Sequence, residues 1–444
     1  MTYAEAVARL LGLRRGEITG MTPGLERIEG MLAALGRPET RYVLAHVGGT
    51  NGKGSTAAML AAMLKAAGRR VGLYTSPHLV SFRERIRVDG VPISEDAVVD
   101  GVDALGTLIA RFDATMFESA TALALDHFAH EGVEIAVLEV GLGGRGDATT
   151  IGRPAVTVLT RIDLDHEAWL GPTIASIADA KAAIIRSGTA VSSAQHPEAR
   201  AIIERRAAEV GVPLLLEGRD LRVSVRAAGL EGQRIDCEGP DFQLRDLALP
   251  LLGTHQPSNA LAAVAAARVL GVGDDAMRAG LARTRWPGRL TIVRRDPWIV
   301  FDGAHNPDGA RALAASLRAL FGATPITFVI GVYADKDARG ILDALLPLAA
   351  RVIFTRAQNE RAADPAALAA LAGVATATTV TRSVAEALSI AASAPVPPIV
   401  CVAGSLAVVG EALQLLSGTD KPCPIENGAA SMDSFRDKGF RDTS

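Results

Sequence analysis

The chain has few cysteines. Only three occur among its 444 residues, Cys237, Cys401 and Cys423. They lie far apart, with neither the paired spacing of a metal site nor the density of a disulfide framework. A reducing compartment is the simpler interpretation, and we expect the protein to reside in the cytoplasm.

The sequence also lacks a strong net charge and a long apolar run. Its 46 Lys and Arg residues nearly balance its 49 Asp and Glu residues, for a net charge of −3. No broad attraction to nucleic acid or to an anionic membrane follows from such a balance. No apolar stretch reaches the length needed to span a bilayer, and Met1–Leu10 lacks the basic start and apolar run of a signal peptide. We therefore expect no nucleic-acid or membrane partner, and any anion must be held by a local site.

The composition is that of a globular protein, with 49% hydrophobic and 21% charged residues. Its length exceeds the roughly 250 to 300 residues at which one core stops growing, which indicates two domains. Apolar runs of strand length alternate with helix-period segments, the pattern of an α/β fold with a mostly parallel sheet. The predicted strands are Tyr42–Val47, Arg70–Thr75, Glu134–Val140, Ala155–Thr160, Thr189–Ser192, Trp298–Phe301, Ile326–Val332, Arg351–Thr355 and Ile399–Ala403.

The pattern of apolar residues changes twice along the chain. Short alternating runs between Leu221 and Leu249 predict a small antiparallel patch, and a helix over Ala260–Leu270 follows. The segment Arg285–Arg289, with Pro297 just beyond, then marks a boundary between domains. We predict a phosphate-binding domain over residues 1–290, a smaller Rossmann-like α/β domain over residues 291–416, and a disordered tail over residues 417–444.

A glycine-rich loop, Gly48–Ser55, joins the strand ending at Val47 to a predicted helix over Ser55–Ala67. Glycines let backbone N–H groups approach phosphate oxygens closely, and the helix N-terminus adds partial positive charge. Lys53 can reach the terminal phosphates, and Ser55 is a candidate magnesium ligand. Strand, glycine loop and helix together predict a site for a nucleotide phosphate.

The loop departs from the general phosphate-loop pattern, because Gly54 stands between Lys53 and Ser55 and no glycine lies five positions before Gly52. A generic kinase or GTPase loop is therefore disfavoured. A tight glycine turn without a ligand is the alternative interpretation, and the lysine, the hydroxyl and the flanking elements argue against it.

Several single residues allow two interpretations. Glu139 ends an apolar strand, where it can hold magnesium or be a solvated strand end. His166 is either a structural histidine or a metal ligand. Lys181 lies in an apolar helical setting that lowers the pKa of an amine, yet a lysine there can also extend to solvent. Arg289 can close on a nucleotide or be an exposed linker residue, and Phe117 can stack on a flat ring or lie in the core.

The loop Gly49-Thr-Asn-Gly-Lys-Gly-Ser55 resembles the one in folylpolyglutamate synthases and dihydrofolate synthases, which belong to the Mur ligase superfamily. Further motifs of that family occur in its order over roughly residues 45 to 310. They are Thr75-Ser-Pro-His-Leu79, Glu84-Arg-Ile86, Thr115-Met-Phe-Glu118, Leu138-Glu-Val-Gly-Leu-Gly-Gly-Arg-Gly-Asp-Ala-Thr149, Asp165-His166, Lys181, His255-Gln256 with Asn259, Pro287-Gly-Arg289 and Phe301-Asp-Gly-Ala-His-Asn-Pro307.

The resemblance implies roles for particular residues. The residues implied to be catalytic are Lys53, Lys181, Glu139 and His166, with Lys181 carbamylated. The residues implied to bind ATP are Gly49, Thr50, Asn51, Gly52, Lys53, Gly54, Ser55, Asn259, Arg289 and Asp302. The implied magnesium ligands are Ser55, Ser76, Glu139 and His166. The residues implied to contact the pteroate are Thr115, Met116, Phe117, Glu118, Gly146, Asp147 and Ala148, and His305 and Asn306 lie on either the glutamate or the nucleotide side.

The function implied is an ATP- and Mg²⁺-dependent ligase, active as a monomer. ATP would phosphorylate the carboxylate of dihydropteroate or of a folate's terminal glutamate, and L-glutamate would displace the phosphate. Two alternatives stay open at this point: a Mur ligase that acts on a cell-wall nucleotide precursor, and a nucleotide-binding ATPase module that does not ligate. The loop variant and the segment Asp302–Pro307 argue against the cell-wall ligase.

Overall fold

The computed structural model describes residues 1–13, 24–373, 377–393 and 398–417. Apart from Ser417, the predicted tail lies outside these residues. No helix in the described ranges combines the length and apolar character needed to cross a bilayer.

The first sheet has eight strands in the order β4-β3-β2-β5-β1-β6-β7-β8. The pairs from β2 through β5, β1, β6 and β7 to β8 are parallel, whereas β3 and β4 extend the β2 edge antiparallel. The strands are β1 (Val43–Gly48), β2 (Val71–Tyr74), β3 (Ile86–Val88), β4 (Val91–Pro92), β5 (Ile135–Glu139), β6 (Val156–Leu159), β7 (Thr189–Ser192) and β8 (Leu214–Leu216).

A three-stranded antiparallel sheet in the order β11-β10-β9 confirms the predicted patch. The last sheet has the order β12-β13-β17-β14-β15-β16 and is parallel except at the β12 edge. The strands of these two sheets are β9 (Arg222–Gly229), β10 (Gly232–Gly239), β11 (Phe242–Leu249), β12 (Thr291–Arg295), β13 (Trp298–Phe301), β14 (Ile326–Ile330), β15 (Ala349–Phe354), β16 (Ala377–Val380) and β17 (Ile399–Ala403).

Helices cover both faces of the two large sheets. They are α1 (Tyr3–Leu11), α2 (Glu26–Ala34), α3 (Lys53–Ala66), α4 (Glu95–Phe112), α5 (Met116–His130), α6 (Glu167–Leu170), α7 (Ile174–Ala182), α8 (Pro197–Val210), α9 (Gln256–Val269), α10 (Asp274–Arg283), α11 (Pro307–Phe321), α12 (Ala338–Leu345), α13 (Pro365–Ala372), α14 (Val384–Ala392) and α15 (Leu406–Ser417). Below, residues 1–283 are called the N-terminal part and residues 291–417 the C-terminal part. The predicted boundary at residue 290 falls between α10 and β12.

Local chemistry explains why helices form where they do. In α4 the buried residues Val98, Val102, Leu105 and Ile109 recur at three- and four-residue spacing, so one stripe faces the core. The hydroxyl of Ser94 accepts a hydrogen bond from the backbone N–H of Ala97 and caps the helix. Such helices pack on the first sheet in two layers, with α3, α9 and α10 in one core and α1, α2, α4 and α5 in the other.

The predicted α/β class is therefore confirmed, with two sheets that each place the carboxyl ends of their parallel strands at one edge. The edge of the first sheet carries the segments after β1, β5 and β6, and the edge of the last sheet carries those after β13 and β14. Ligands of open α/β sheets bind at such edges. The candidate site is found between these two edges.

Candidate active site

A cavity of about 630 Å³ lies where the two strand edges face each other, and both parts of the chain line it. Most residues singled out from the sequence meet there. Those that line the cavity are Thr50, Asn51, Gly52, Lys53, Gly54, Ser55, Ser76, Phe117, Glu139, Asp147, His166, Lys181, Asn259, Arg289, Asp302 and His305.

The glycine loop has a backbone that glycine alone adopts readily. Gly49 has φ 134° and Gly52 has φ 91°, both in the left-handed region. A Cβ atom on Gly52 would lie 2.3 Å from Oδ1 of Asn259, so a side chain is also excluded by space. The backbone N–H of Thr50 donates to the carbonyl of Arg161 at 2.9 Å, which ties the loop to the segment after β6. The α3 helix begins at Lys53, two residues before the predicted start.

Gly54, the residue inserted into the loop motif, has a packing reason. A Cβ atom at this position would lie 2.9 Å from the indole Nε1 of Trp286. Trp286 stands just before the Pro287–Arg289 segment, so the indole joins the link between the two parts to the phosphate loop. Any larger residue at position 54 would have to displace that ring.

A buried pair of opposite charges lies beside the loop. The ammonium of Lys53 donates to the carbonyl of Thr50 at 3.0 Å, and its pKa is lowered by burial, against the opposing field of Glu139. Burial raises the pKa of Glu139, whereas Lys53 and the N–H of Ser76, 3.1 Å from Oε2, oppose that shift. Each charge therefore favours the ionised form of the other.

Lys181 lies on α7 and points at the phosphate loop. Its ammonium donates to the carbonyl of Gly49 at 2.9 Å, and only 4% of the residue is exposed. Burial, with Lys53 adding to it, lowers the pKa of Lys181 to about 7. Burial therefore favours the neutral amine, the form that reacts with carbon dioxide.

Asp165 is the centre of a cluster that joins the predicted site residues His166, His305 and Asn306 to Lys336. Neither Asp165 nor Lys336 was among the predicted site residues. Lys336 donates to its Oδ1 at 2.5 Å, and the side-chain amide of Asn306 donates to its Oδ2 at 2.9 Å. Burial alone would raise the pKa of Asp165, but His166, Lys336 and His305 hold it well below its usual range. Burial lowers the pKa of His166 to about 3 and that of His305 to about 4.

Lys336 is the residue of this cluster that the sequence reading missed altogether. It follows the buried strand β14 in the segment Val332–Asp337, at the carboxyl edge where ligand-binding groups gather. That position was the available signal. The segment itself resembles none of the family's motifs named above.

Arg289 and Asp302 lie on the C-terminal side of the cavity. Burial raises the pKa of Asp302, and Arg289 is the strongest opposing influence. The carboxylate accepts from the backbone N–H groups of Leu290 at 2.7 Å and Ala304 at 2.8 Å, so it fixes the turn that carries Arg289. His305 Nδ1 lies 2.8 Å from the carbonyl of Gly303.

The predicted pteroate contacts are divided by the structure. Among them Phe117 and Asp147 line the cavity, and the ring of Phe117 packs where a Cβ atom of Gly141 would be, 2.4 Å from Cζ. Met116 and Ala148 are buried in the hydrophobic core instead. The remaining three, Thr115, Glu118 and Gly146, do not line this cavity. Their substrate role stays a prediction.

Asp147 organises its own loop. Its Oδ2 accepts from the backbone N–H of Leu142 at 2.9 Å, and its Oδ1 accepts from the backbone N–H and hydroxyl of Thr149 at 2.9 and 2.5 Å. Burial raises the pKa of Asp147, which these hydrogen bonds oppose.

The predicted magnesium ligands fit the ion unequally. Mg²⁺ is bound by one or two carboxylates with phosphate and water oxygens, and the carboxylate of Glu139 with the hydroxyls of Ser55 and Ser76 suits that chemistry. The Nε2 atom of His166, by contrast, lies 3.3 Å from the ammonium of Lys336. A cation at that atom would require Lys336 to move. Within the described ranges, no three His, Cys, Asp or Glu residues are grouped closely enough to hold a metal ion.

Comparison with known proteins agrees with this architecture. The chain matches the Mur ligase middle domain over residues 47–267 and the Mur ligase glutamate ligase domain over residues 288–406. It is 40% identical over 359 residues to a folylpolyglutamate synthase from Lacticaseibacillus casei, with 78% of this chain and 83% of that protein covered.

A sequence and a solved structure from Mycobacterium tuberculosis are also similar. The sequence, a dihydrofolate synthase/folylpolyglutamate synthase, is 38% identical over 394 residues, with 83% of this chain and 81% of that protein covered. The solved structure is a folylpolyglutamate synthase complexed with ADP and AMPPCP. It has a TM-score of 0.88 and 34% identity, and the match covers 95% of this chain and 100% of that one.

Fold and cleft thus define a two-part ligase of the Mur type. Within that class, the chain belongs to the folylpolyglutamate synthase and dihydrofolate synthase family, and the resemblance read from the motifs is confirmed.

Proposed function

We propose that this chain joins L-glutamate to the carboxylate of dihydropteroate, or of a folate's terminal glutamate, at the expense of ATP. The observation that carries the proposal is the cavity, in which Lys53 and the phosphate loop face Arg289, His305 and Lys336 across the cleft. Such a site can hold a nucleoside triphosphate on one side and an anionic amino acid on the other.

The proposed reaction has two steps. The γ-phosphoryl group passes from ATP to a carboxylate oxygen, which forms an acyl phosphate and ADP. The amino nitrogen of L-glutamate then attacks the carbonyl carbon, phosphate leaves, and the nitrogen loses a proton. Phosphoryl transfer depends mainly on positioning and on charge neutralisation, and the cations of this cleft supply both.

Individual residues then have distinct tasks. The loop N–H groups and Lys53 hold the phosphates, and Arg289 approaches them from the segment that links the two parts. Glu139, Ser55 and Ser76 would hold Mg²⁺, which when bound neutralises phosphate charge. We retain the predicted contacts of Asn259 and Asp302 with ATP and of Phe117 with the flat pterin as parts of this proposal.

Lys181 is proposed to act as a carbamate. Its burial, its pKa of about 7 and its place beside Gly49 support this role, because a carbamate would return a negative charge to a region crowded with cations. We expect Lys181→Ala to lose ligation, and we expect protein freed of carbon dioxide to regain activity on addition of bicarbonate. Unchanged activity of Lys181→Ala would contradict this role.

We propose a monomer as the active form. The two parts of one chain supply both sides of the cavity, so no second copy is needed to complete it.

The decisive experiment is a product assay. Purified protein is incubated with ATP, L-glutamate and either dihydropteroate or a tetrahydrofolate, and the products are weighed by mass spectrometry. A product heavier by one glutamyl residue supports the proposal, and the acceptor that gains it tells which activity is present. The names of the relatives differ on this point: the Mycobacterium tuberculosis sequence is named for both activities, whereas the Lacticaseibacillus casei protein is named for folylpolyglutamate synthase alone.

Two controls give the assay its meaning. Lys53→Ala should abolish product, whereas Lys65→Ala, an exposed lysine at the far end of α3, should leave it unchanged. Phosphate release that is the same with and without the acceptor and glutamate would instead indicate an ATPase module. Ligation to a cell-wall nucleotide precursor alone would indicate the other Mur-type activity.

A further inference from the structure

The side chain of Asn306 has no hydrogen-bonding capacity left for a ligand. A primary amide has two N–H donors and two acceptor positions. The Nδ2 group donates to Oδ1 of Asn51 at 3.1 Å and to Oδ2 of Asp165 at 2.9 Å. The Oδ1 atom accepts from Nδ2 of Asn51 at 3.1 Å and from the backbone N–H of Gly309 at 2.8 Å. All four positions are filled, and the residue is only 2% exposed.

Lys336 makes a second contact with the same carboxylate. Its ammonium donates to Oδ1 of Asp165 at 2.5 Å, and the side chains of Lys336 and Asp165 are 5% and 7% exposed. A carboxylate this far from water is stable only when paired and hydrogen-bonded, and removal of one partner leaves an uncompensated charge.

Apart from the hydrogen bond from Gly309, which lies in the same part as Asn306, these contacts cross the cleft. Asn51 and Asp165 follow β1 and β6 of the first sheet, whereas Asn306 and Lys336 follow β13 and β14 of the last sheet. A further contact, from Nδ2 of Asn51 to Oδ2 of Asp308 at 2.9 Å, runs in the same direction. If the two parts moved apart, Asp165 would lose Lys336, Asn306 and the nearby His305, whose Nε2 lies 3.8 Å from Oδ2, at once.

We propose that Asn306 and Lys336 form a clamp: they are positioning residues that hold the phosphate loop, through Asn51, and the Asp165–His166 turn in register for phosphoryl transfer. The clamp rests on the proposed ligase function. It differs from the expectation that Asn306 touches glutamate or nucleotide, because its amide is fully engaged within the protein. The clamp also makes closure of the cleft a condition for assembling the site.

Asn306→Asp tests the clamp selectively. Aspartate caps a helix as well as asparagine does, so the hydrogen bond from Gly309 is kept. Both amide donors are lost, and a second carboxylate is brought beside Asp165. We expect kcat to fall by about 100-fold, the effect of a small misplacement of reacting groups, with the KM for glutamate and ATP little changed.

Lys336 provides the second arm. Lys336→Met should lower kcat as Asn306→Asp does, and Lys336→Arg should restore part of it, because a guanidinium can still donate to Asp165. Lys65→Met serves as the matched control, since Lys65 is an exposed lysine far from the cleft whose ammonium donates to the carbonyl of Asp89. The melting temperature of each variant shows whether it is folded.

A readout independent of ligation separates this inference from the proposed function. Small-angle X-ray scattering of the full chain with AMPPCP should give a larger radius of gyration for Asn306→Asp and Lys336→Met than for the parent and Lys65→Met. An unchanged radius in both variants overturns the clamp. So does a raised KM for glutamate at unchanged kcat, which would assign Asn306 to the substrate. Absence of ligation by the parent protein defeats the proposed function but leaves the scattering test intact.

Discussion

Glu118 and Asp165 are both buried carboxylates, yet they serve opposite purposes. The Oε2 atom of Glu118 accepts from the backbone N–H and the hydroxyl of Thr115 at 2.8 Å each, and Nε of Arg27 lies 3.0 Å from both of its oxygens. All of these partners belong to the N-terminal part. The partners of Asp165, by contrast, come mainly from across the cleft.

The comparison shows that a motif residue can be required by the fold rather than by the substrate. Glu118 and Thr115 form a capping box at the start of α5, in which the Thr115 hydroxyl also accepts from the N–H of Glu118 at 3.2 Å. That box fixes the helix that presents Phe117 to the cavity. Asp165 gains its partners only when two distant segments meet, so it reports on the assembly of the site.

The largest expected effect is a loss of protein stability on disruption of the contacts among Thr115, Glu118 and Arg27 at the start of α5. Glu118→Ala removes the acceptor of hydrogen bonds from Nε of Arg27 and from the backbone N–H and hydroxyl of Thr115, so we expect a loss of about 2–3 kcal/mol in the free energy of unfolding. Urea unfolding measures it. The kcat of the folded fraction should be unchanged, and a specific loss of kcat would instead place Glu118 in the substrate site.

Asp165→Asn, in contrast to Glu118→Ala, should lower activity more than stability. The isosteric amide has no charge to pair with the Lys336 ammonium, so we expect kcat to fall by about 100-fold because the reacting groups lose their alignment. Steady-state kinetics measures this effect, and urea unfolding of the same protein should show a smaller loss of stability than Glu118→Ala does. Equal stability losses in the two variants would remove the distinction between the clusters.

His46 extends the comparison, because it is a buried titratable group whose ring lacks a hydrogen-bond partner among the described residues. It is 0% exposed, and neither ring nitrogen has a hydrogen-bond partner among the described residues. Burial, with a smaller contribution from Arg186, lowers the pKa of His46 from 6.5 to about 3. Between these values the unfolded chain binds a proton that the folded chain does not, so acid favours unfolding.

We therefore expect the stability to fall by up to about 1.4 kcal/mol per pH unit from His46 as the pH decreases from 6.5 toward 3. Urea unfolding at a series of pH values measures the slope, and His46→Met should reduce it. An identical slope in His46→Met would assign the acid sensitivity to other groups.

The smallest effect is expected at the cap itself. Thr115→Ala removes one hydroxyl from the capping box but leaves the backbone N–H to bind Glu118, so the loss should be about 1 kcal/mol. Thermal unfolding detects it, and Thr115→Ser should restore most of the stability. A KM for the pteroate that rises in Thr115→Ala but not in Thr115→Ser would support the substrate contact predicted from the motif.

Strands and the phosphate loop were predictable because their signals are local. Thr189–Ser192, Trp298–Phe301 and Ile399–Ala403 match the observed strands residue for residue, since continuous apolar runs bounded by turns leave little choice. The edge strands β12 and β16 were not predicted, because they are short and partly exposed and so carry a weak apolar pattern. The helix α9 was predicted to begin at Ala260 but starts at Gln256, where Pro257 occupies the first turn without cost.

The cluster at Asp165 was less accessible from the sequence. His166 and His305 were found through motifs, but nothing local links Asp165 to Lys336, which lies 171 positions later. Likewise, the position of Asn306 in a family motif predicted a ligand contact. The four hydrogen bonds of its side-chain amide instead involve Asn51, Asp165 and Gly309, which lie in three separate segments.

The sequence by itself determined the α/β class, the phosphate loop and the family, because each depends on the order and spacing of neighbouring residues. Only the tertiary structure decided which motif residues reach the cavity, which ones cap helices, and which ones hold the two parts together. The physical reason is that burial and charge pairing act through space. A buried carboxylate stabilises a helix start where Arg27 is its neighbour, as Glu118 does, and links the two parts where Lys336 is its neighbour, as Asp165 does.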